Sequence, residues 1–212
     1  SRRQEVETGA YLEGEEVVFS LNGHKKRVLR ADEIRIPGEH NLENALAATA
    51  LTMLAGVPAP VVRHTLKTFP GVEHRIETVR TVEGVTYIND SKGTNVDASI
   101  RAVRAMKVPT VLLAGGYDKH TDFLPLAREV LASKIHTVVV LGDTAEQIER
   151  ALRAVGFESI LHAKTFEEAV LLARSCAREG ENVLLSPACA SFDMFQDYEE
   201  RGRVFKEIVS RL

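Results

Sequence analysis

Apolar and polar positions change period partway along this chain. In the first third, Ala10 to Phe19, Arg27 to Arg30 and Glu33 to Ile36 are short runs between turn signals at Asn22-Gly23 and Pro37-Gly38, which predicts short strands. An Ala/Leu-rich stretch from about Asn41 to Ala55 predicts a helix, and Pro58 opens a second from about Ala59 to Thr68. After Gly71 the pattern becomes strands alternating with helices. Strands are expected at Val85 to Ile88, Thr110 to Ala114, Thr137 to Leu141, around Ser159 to Leu161, and at Val183 to Leu185. Helices are expected at about Val96 to Met106, Phe123 to Ala132, Ala145 to Val155, Phe166 to Arg178, and from Phe192 to the end. The runs VLLA, VVVL and VLL are apolar without alternation, as in strands covered on both faces of a mostly parallel sheet.

The expected fold class is therefore α/β, with a Rossmann-like, mostly parallel, doubly wound domain over residues 71–212. Residues 1–70 offer a few edge-like strands and two helices, which bury little surface and are not expected to make a complete domain. They read as the strand and helix tail of a larger domain.

Composition narrows the partners. The chain has 212 residues, 44% apolar and 27% charged, and a net charge of -3, so an anionic ligand must be held by local cations rather than by an overall basic field. Non-specific nucleic-acid or membrane binding is not expected. No apolar run is long enough to span a bilayer and no signal-peptide pattern opens the chain, so a cytoplasmic location is expected. Cys176 and Cys189 make neither a disulfide framework nor a zinc set, and Cys176 follows Phe166, Ala169, Val170 and Ala173 at helical spacing, as a packed thiol does. Seven histidines show no metal-binding spacing, and no metal site within the chain is expected.

Three strand ends carry the candidate chemistry. Val85 to Ile88 leads into Asn89, Asp90, Ser91, Lys92, Gly93, Thr94 and Asn95. Thr110 to Ala114 leads into Gly115, Gly116, Tyr117, Asp118, Lys119, His120 and Thr121, and Val183 to Leu185 into Ser186 to Ser191. Parallel strands put all three turns at one edge of the sheet, where Lys92, Lys119, Thr94 and Ser191 can surround a small anion and Asp90 can meet a cation or an amine. Ser191 and Asp193 are the expected caps of the last helix. Taken singly, each cluster is more often a solvated loop; three together reverse that balance and favour a ligand site. His74-Arg75 stands at the expected domain junction, where a cation can meet phosphate, although an isolated pair is more often an interdomain ionic element. No Walker-type loop, dinucleotide fingerprint or nucleophile elbow is present.

The segments HNLENALAA (His40 to Ala48), GVEHRIE (Gly71 to Glu77), INDSKGTN (Ile88 to Asn95), LLAGGYDKHTDF (Leu112 to Phe123) and LLSPACASFDMFQDYEERG (Leu184 to Gly202) resemble, in this order and over nearly the whole chain, the Mur ligases. The DSK-x-TN and SPACAS motifs are similar to those of the members that add D-glutamate. The resemblance implies that residues 1–70 end a central ATPase domain and that residues 71–212 form the C-terminal, glutamate-binding domain. It also implies an ATP- and magnesium-dependent ligation of D-glutamate to UDP-N-acetylmuramoyl-L-alanine through an acyl phosphate, a step of peptidoglycan precursor synthesis.

By position, the resemblance implies D-glutamate contacts at Thr94, Lys119, Ser191 and Tyr198. It implies ATP contacts at Asn41, Asn44, Arg75 and Asp90, and places His74, Arg75 and Lys92 close to the reacting groups. The family's N-terminal UDP-binding domain, phosphate-binding loop and principal magnesium-organising residues are not in the sequence, so the chain alone is expected to be inactive. Tyr198 stands where the family has phenylalanine, and Tyr117 where relatives often have an acid. A folylpolyglutamate-type ligase shares the central motifs but not SPACAS, and a non-catalytic amino-acid- or nucleotide-binding module is the alternative from another class.

Overall fold

The computed structural model describes residues 1–36 and 38–212, so Pro37 of the expected Pro37-Gly38 turn lies outside the described residues. The chain forms two compact units, Ser1–Gly71 and Val72–Leu212.

In the first unit, strands β1 (Gly9–Glu13), β2 (Glu16–Leu21) and β3 (His24–Arg30) form an antiparallel sheet in that order. Helices α1 (Glu39–Leu54) and α2 (Ala59–Thr68) cover it, with Leu46 and Val62 packed among Val17, Phe19, Val28 and Leu29. Two expectations are corrected. Ala10 to Phe19 is two strands, because Gly14 takes φ +61 and folds the run into a hairpin. Glu33 to Ile36 is not a strand: Ala31–Glu33 make a single 3-10 turn. Glu33 is drawn down by Lys67 at 2.7 Å and accepts from the Arg30 N–H at 2.9 Å, while the Arg35 N–H donates to the Leu66 carbonyl of α2 instead of to a strand neighbour.

The second unit is a doubly wound sheet. Its strands are β4 (Glu77–Val82), β5 (Val85–Asn89), β6 (Thr110–Gly115), β7 (Ile135–Leu141), β8 (Ile160–His162) and β9 (Asn182–Leu185), in the order β4-β5-β9-β6-β7-β8. All neighbours are parallel except β4, an edge strand that joins β5 through a tight turn at Glu83-Gly84. The apolar pattern does not predict this hairpin, because ETVRTV has only two valines and lacks the continuous apolar run of the inner strands.

Successive residues of an inner strand face opposite layers. Leu112 and Ala114 meet α3 (Val96–Ala105), α4 (Leu124–Ala132) and α5 (Ala145–Ala154) through Ala102, Val103, Leu126, Ala127, Val130, Ile148 and Leu152. Val111 and Leu113 meet the opposite layer, α6 (Phe166–Cys176) and α7 (Tyr198–Ser210), through Ala169, Val170, Ala173, Phe205 and Val209. Cys176 packs at the edge of that layer as a free thiol.

The topology sets where a ligand can reach the backbone. From β6 the chain winds outward through β7 and β8 and then returns on the other face through α6 to insert β9 between β5 and β6. The helices after β5 and β6 therefore lie on one face and the helix after β9 on the other, which opens a crevice at the carboxyl ends of these three strands. Close approach of the turns requires glycine. Gly115 and Gly116 have φ +122 and +147, and a Cβ on either would run into the backbone carbonyl of Leu141 or Ala190.

The last helix begins later than its sequence suggests. Ser191 and Asp193 do not cap it: the Ser191 carbonyl accepts from the N–H groups of Met194 and Phe195 in a tight turn, and the helix starts at Tyr198 with the Asp197 carboxylate accepting from the Glu200 N–H at 2.7 Å. Phe192 to Asp197 is a connecting segment lying over the strand ends.

Candidate functional site at three strand ends

The turns after β5, β9 and β6 lie side by side, and a buried arginine ties them together. Arg201, on the first turn of α7, is 2% exposed. Its Nε donates to Ser91 Oγ at 2.9 Å and its Nη2 to the Ser91 carbonyl at 2.8 Å, while Nη1 donates to the carbonyls of Cys189 at 3.1 Å and Ala190 at 3.4 Å. The guanidinium thus satisfies backbone acceptors of two turns at once, as only a planar fork of donors can. Burial lowers its pKa to about 10, so it stays charged at neutral pH. Ser91 in turn donates to the Tyr198 carbonyl at 2.8 Å, which fixes the start of α7 against the β5 turn.

The β6 turn is held from the other side. The Tyr117 N–H donates to the Ala190 carbonyl at 3.0 Å, forming an isolated antiparallel bridge, and the Gly115 N–H donates to the Pro187 carbonyl at 2.9 Å. Thr144, at the start of α5, closes on the Gly116 N–H and carbonyl, each at 3.1 Å, and lies 3.2 Å from Cys189 Sγ. The Cys189 thiol is buried and its pKa is pushed up to about 11, so it is a packed, unreactive group. Ala188, also buried, takes φ +60, a conformation that L-residues adopt at a cost and that places the small-residue turn tightly over the sheet.

Asp90 lies beneath the site. It is 4% exposed, accepting from Ser186 Oγ at 2.7 Å and from the Ile76 N–H at 3.2 Å. Burial raises its pKa to about 6, against the opposing pull of those two donors and of the Arg75 and Arg201 charges. Gly93 is required here, since a Cβ would come within 2.6 Å of the Asp90 carboxylate and 2.9 Å of Ser186 Oγ.

The structure distributes the residues singled out in the sequence unevenly. Lys92 and Lys119 are exposed at neighbouring turns, each over an aromatic ring of the connecting segment or the start of α7: Lys92 Nζ is 5.5 Å from the Tyr198 centroid and Lys119 Nζ 5.8 Å from that of Phe192. Thr94 is half-buried just before α3, whose N-terminus is capped by Asn95 accepting from the Ala98 N–H at 2.9 Å. Ser191 is 2% exposed, at the end of the β9 turn.

His74 is not free. It has φ +64 and its ring is 4% exposed, packed on Gly202 and held by Asn89 Nδ2 at 2.9 Å from its Nδ1. Arg75 beside it is exposed, and its side chain has no ion-pair partner among the described residues. Asn41 and Asn44 lie on the first turns of α1, in the first unit, with Asn44 Nδ2 donating to Asn41 Oδ1 at 3.4 Å. Asp193, expected as a cap, instead presses its carboxylate against Gly142, and burial raises its pKa.

Arg201 is the residue that sequence reading passes over, and Asn89, named there only as part of the β5 turn, is the partner of the His74 ring. Arg201 falls inside the quoted YEERG stretch, yet an arginine following two glutamates on an amphipathic helix reads as a solvated charge. Only its helical phase with Gly202, Phe205, Ile208 and Val209, all buried, signals otherwise.

One group of side chains among the described residues is close enough for a metal, Glu73, His74 and Glu77. It does not suit magnesium. Lys206 Nζ already neutralises Glu73 at 2.9 Å and Glu77 at 2.7 Å, and His74 Nδ1 is held by Asn89, whereas magnesium takes oxygen ligands in an open octahedron. Among the described residues no helix is long and apolar enough to cross a membrane.

Fold and site define a Rossmann-like domain with a polar, lysine-bearing crevice at its topological switch point. Residues 74–189 match the model of the glutamate ligase domain of Mur ligases, and the chain belongs to that family. It is 54% identical over its whole length to a UDP-N-acetylmuramoylalanine–D-glutamate ligase of Pelotomaculum thermopropionicum, of which it covers 46%. It is 50% identical to the ligase of the same name from Thermoanaerobacter sp., covering 47% of it. The chain thus spans about half the length of these curated relatives. Among solved structures, UDP-N-acetylmuramate-alanine ligase MurC from Thermotoga maritima superposes with a TM-score of 0.69 at 20% identity, over 96% of this chain and 46% of that one. Folylpolyglutamate synthase from the same organism gives 0.60 at 16% identity, over 93% of this chain and 44% of that one. Both show the shared fold.

Two outcomes follow from the site's energetics. Arg201→Met leaves the carbonyls of Ser91 and Cys189 without their donor, and that of Ala190 with the Tyr117 N–H alone, and is expected to cost about 3 kcal/mol or more, read as a lowered urea midpoint. Asp90 holds its proton more tightly folded than unfolded, so its contribution is full below about pH 4 and is lost as pH rises through about 6, roughly 3 kcal/mol in all. The gap in Tm between Asp90→Asn and the native protein should move in favour of the variant across that window, and a gap independent of pH would contradict the assignment.

Proposed function

We propose that this chain supplies the amino-acid-binding part of an ATP-dependent ligase that joins D-glutamate to UDP-N-acetylmuramoyl-L-alanine in peptidoglycan precursor synthesis. The observation that carries the reading is the convergence of Lys92, Lys119 and Ser191 on three adjacent strand ends that Arg201 and the Tyr117–Ala190 bridge hold together. Two relatives at 50–54% identity with the same printed name support the choice of amino acid. The folylpolyglutamate synthase likeness extends only to the fold.

D-glutamate carries two carboxylates and one amine. Lys119, Ser191 and Thr94, with the backbone at Tyr198, supply the donors for the carboxylates, and the small-residue turn leaves room for the backbone of the amino acid to approach. The carboxylate of UDP-N-acetylmuramoyl-L-alanine attacks the γ-phosphorus of ATP and ADP departs. The D-glutamate amine then attacks the acyl phosphate, and inorganic phosphate leaves as the amide forms. Lys92 and the exposed Arg75 offset negative charge on the transferring phosphoryl group.

Asp90 is an ATP-contacting position in this reading, and Asn41 and Asn44 lie near the adenine. His74 acts through packing, holding the Lys92 N–H with its carbonyl at 3.0 Å. Magnesium would assist phosphoryl transfer and would be held mainly by the part of the central domain that lies outside this chain. The substrates place the reaction in the cytoplasm, with the remaining domains of the longer protein as partners.

The test is ADP release by the full-length protein with D-glutamate, against L-glutamate and L-lysine as controls. Release that depends on D-glutamate is expected; dependence on L-glutamate instead would favour a folylpolyglutamate-type ligase, and no turnover with any of the three a binding module. Lys119→Ala is expected to raise KM for D-glutamate roughly tenfold to a hundredfold, as for loss of a charged hydrogen bond, with KM for ATP kept. Ser191→Ala should act in the same direction by roughly threefold to tenfold. Normal use of D-glutamate by both variants would overturn the pocket assignment.

A further inference from the structure

We propose that Phe192 is a positioning residue for Lys119, and that the exposed Tyr117–Phe192 pair sets where the amino-acid carboxylate is held. The inference rests on reading Lys119 as a carboxylate-binding group.

Phe192 is 61% exposed and Tyr117 is 42% exposed, in a unit whose other aromatic side chains include the fully buried Tyr87 and Phe205. Burial does not explain two large rings held in water at the rim of the crevice. Their arrangement does: the rings meet edge to face with centroids 6.1 Å apart, and the Phe192 face is turned toward the Lys119 ammonium, 5.8 Å from the centroid. An aromatic face attracts a cation at this range.

The backbone brings the three residues together. The Tyr117–Ala190 bridge clamps the β6 turn to the β9 turn, and Lys119 and Phe192 each follow that bridge by two residues. Lys119 has no ion pair among the described residues. The adjacent Asp118 is engaged by Gln147 Nε2 at 2.7 Å and by the His120 N–H at 2.7 Å.

The choice of an aromatic partner has a chemical consequence. A carboxylate would also hold the lysine, but it would compete with the ligand for the same ammonium protons. A π-face restrains the flexible stem and leaves the three N–H donors free for an incoming carboxylate. The same arrangement occurs on the β5 side, where Lys92 lies over Tyr198. Both lysines of the crevice are thus set by rings from residues 192–198.

The test is steady-state kinetics of the full-length protein with D-glutamate as the varied substrate. Phe192→Leu keeps apolar bulk but removes the π-face; it is expected to raise KM for D-glutamate roughly threefold to fivefold, with kcat, KM for ATP and Tm unchanged, and Phe192→Tyr to restore the native value. In a Lys119→Ala background, Phe192→Leu should add nothing, because the ring acts through the lysine. Native KM in Phe192→Leu alongside a raised KM in Lys119→Ala would overturn this inference and leave the pocket reading standing. An undiminished Phe192→Leu effect without Lys119 would likewise overturn it. Native KM in Lys119→Ala would overturn both.

Discussion

The Arg201 guanidinium is the constraint on which the site depends. Two turns from different parts of the chain, after β5 and after β9, present backbone carbonyls toward the same small volume, and such acceptors cannot satisfy each other. A buried cation with several donors resolves the conflict and converts mutual repulsion into a shared anchor. The cost of removing the charge from water is met by carbonyl dipoles and by the Ser91 hydroxyl rather than by a close carboxylate, so the site retains its positive character at the rim.

Everything nearer the ligand follows from that anchor and from the strand order. Inserting β9 between β5 and β6 makes three turns neighbours that are far apart in sequence, and glycine at 93, 115 and 116 lets them approach to backbone contact. The lysines stand at the outer edge, over aromatic rings. Asp90, buried below and hydrogen-bonded to Ser186, joins the β5 and β9 turns from the inside. The result is a preorganised crevice whose lysines face outward while Arg201 and Asp90 are hydrogen-bonded within.

Much of this was legible in the sequence, for identifiable reasons. Inner parallel strands such as VLLA and VVVL are apolar on both faces, so their positions and those of the intervening helices were read to within a few residues. The candidate residues at the three turns were found because parallel topology forces strand ends to one side. Edge and cap features were less legible. β4 is not legible because ETVRTV has only two valines among charged residues and threonines, too sparse an apolar pattern to mark a strand. The start of α7 was placed too early because Ser191 and Asp193 carry the same capping chemistry as Asp197, and only the tight turn at Ser191 decides between them. Arg201 was passed over because residue type says nothing about which arginine among many is buried; that depends on the tertiary meeting of two turns.

One amino-acid site spanning the three strand ends should respond as a unit to its ligand. Amide NMR spectra of the full-length protein, titrated with D-glutamate and separately with L-glutamate, test it most directly. A single set of shifts clustered at Thr94, Lys119 and Ser191 is expected, with half-saturation at lower concentration for the D-enantiomer. Absence of any response at these three amides at saturating D-glutamate, or a response confined to other parts of the chain, would contradict it.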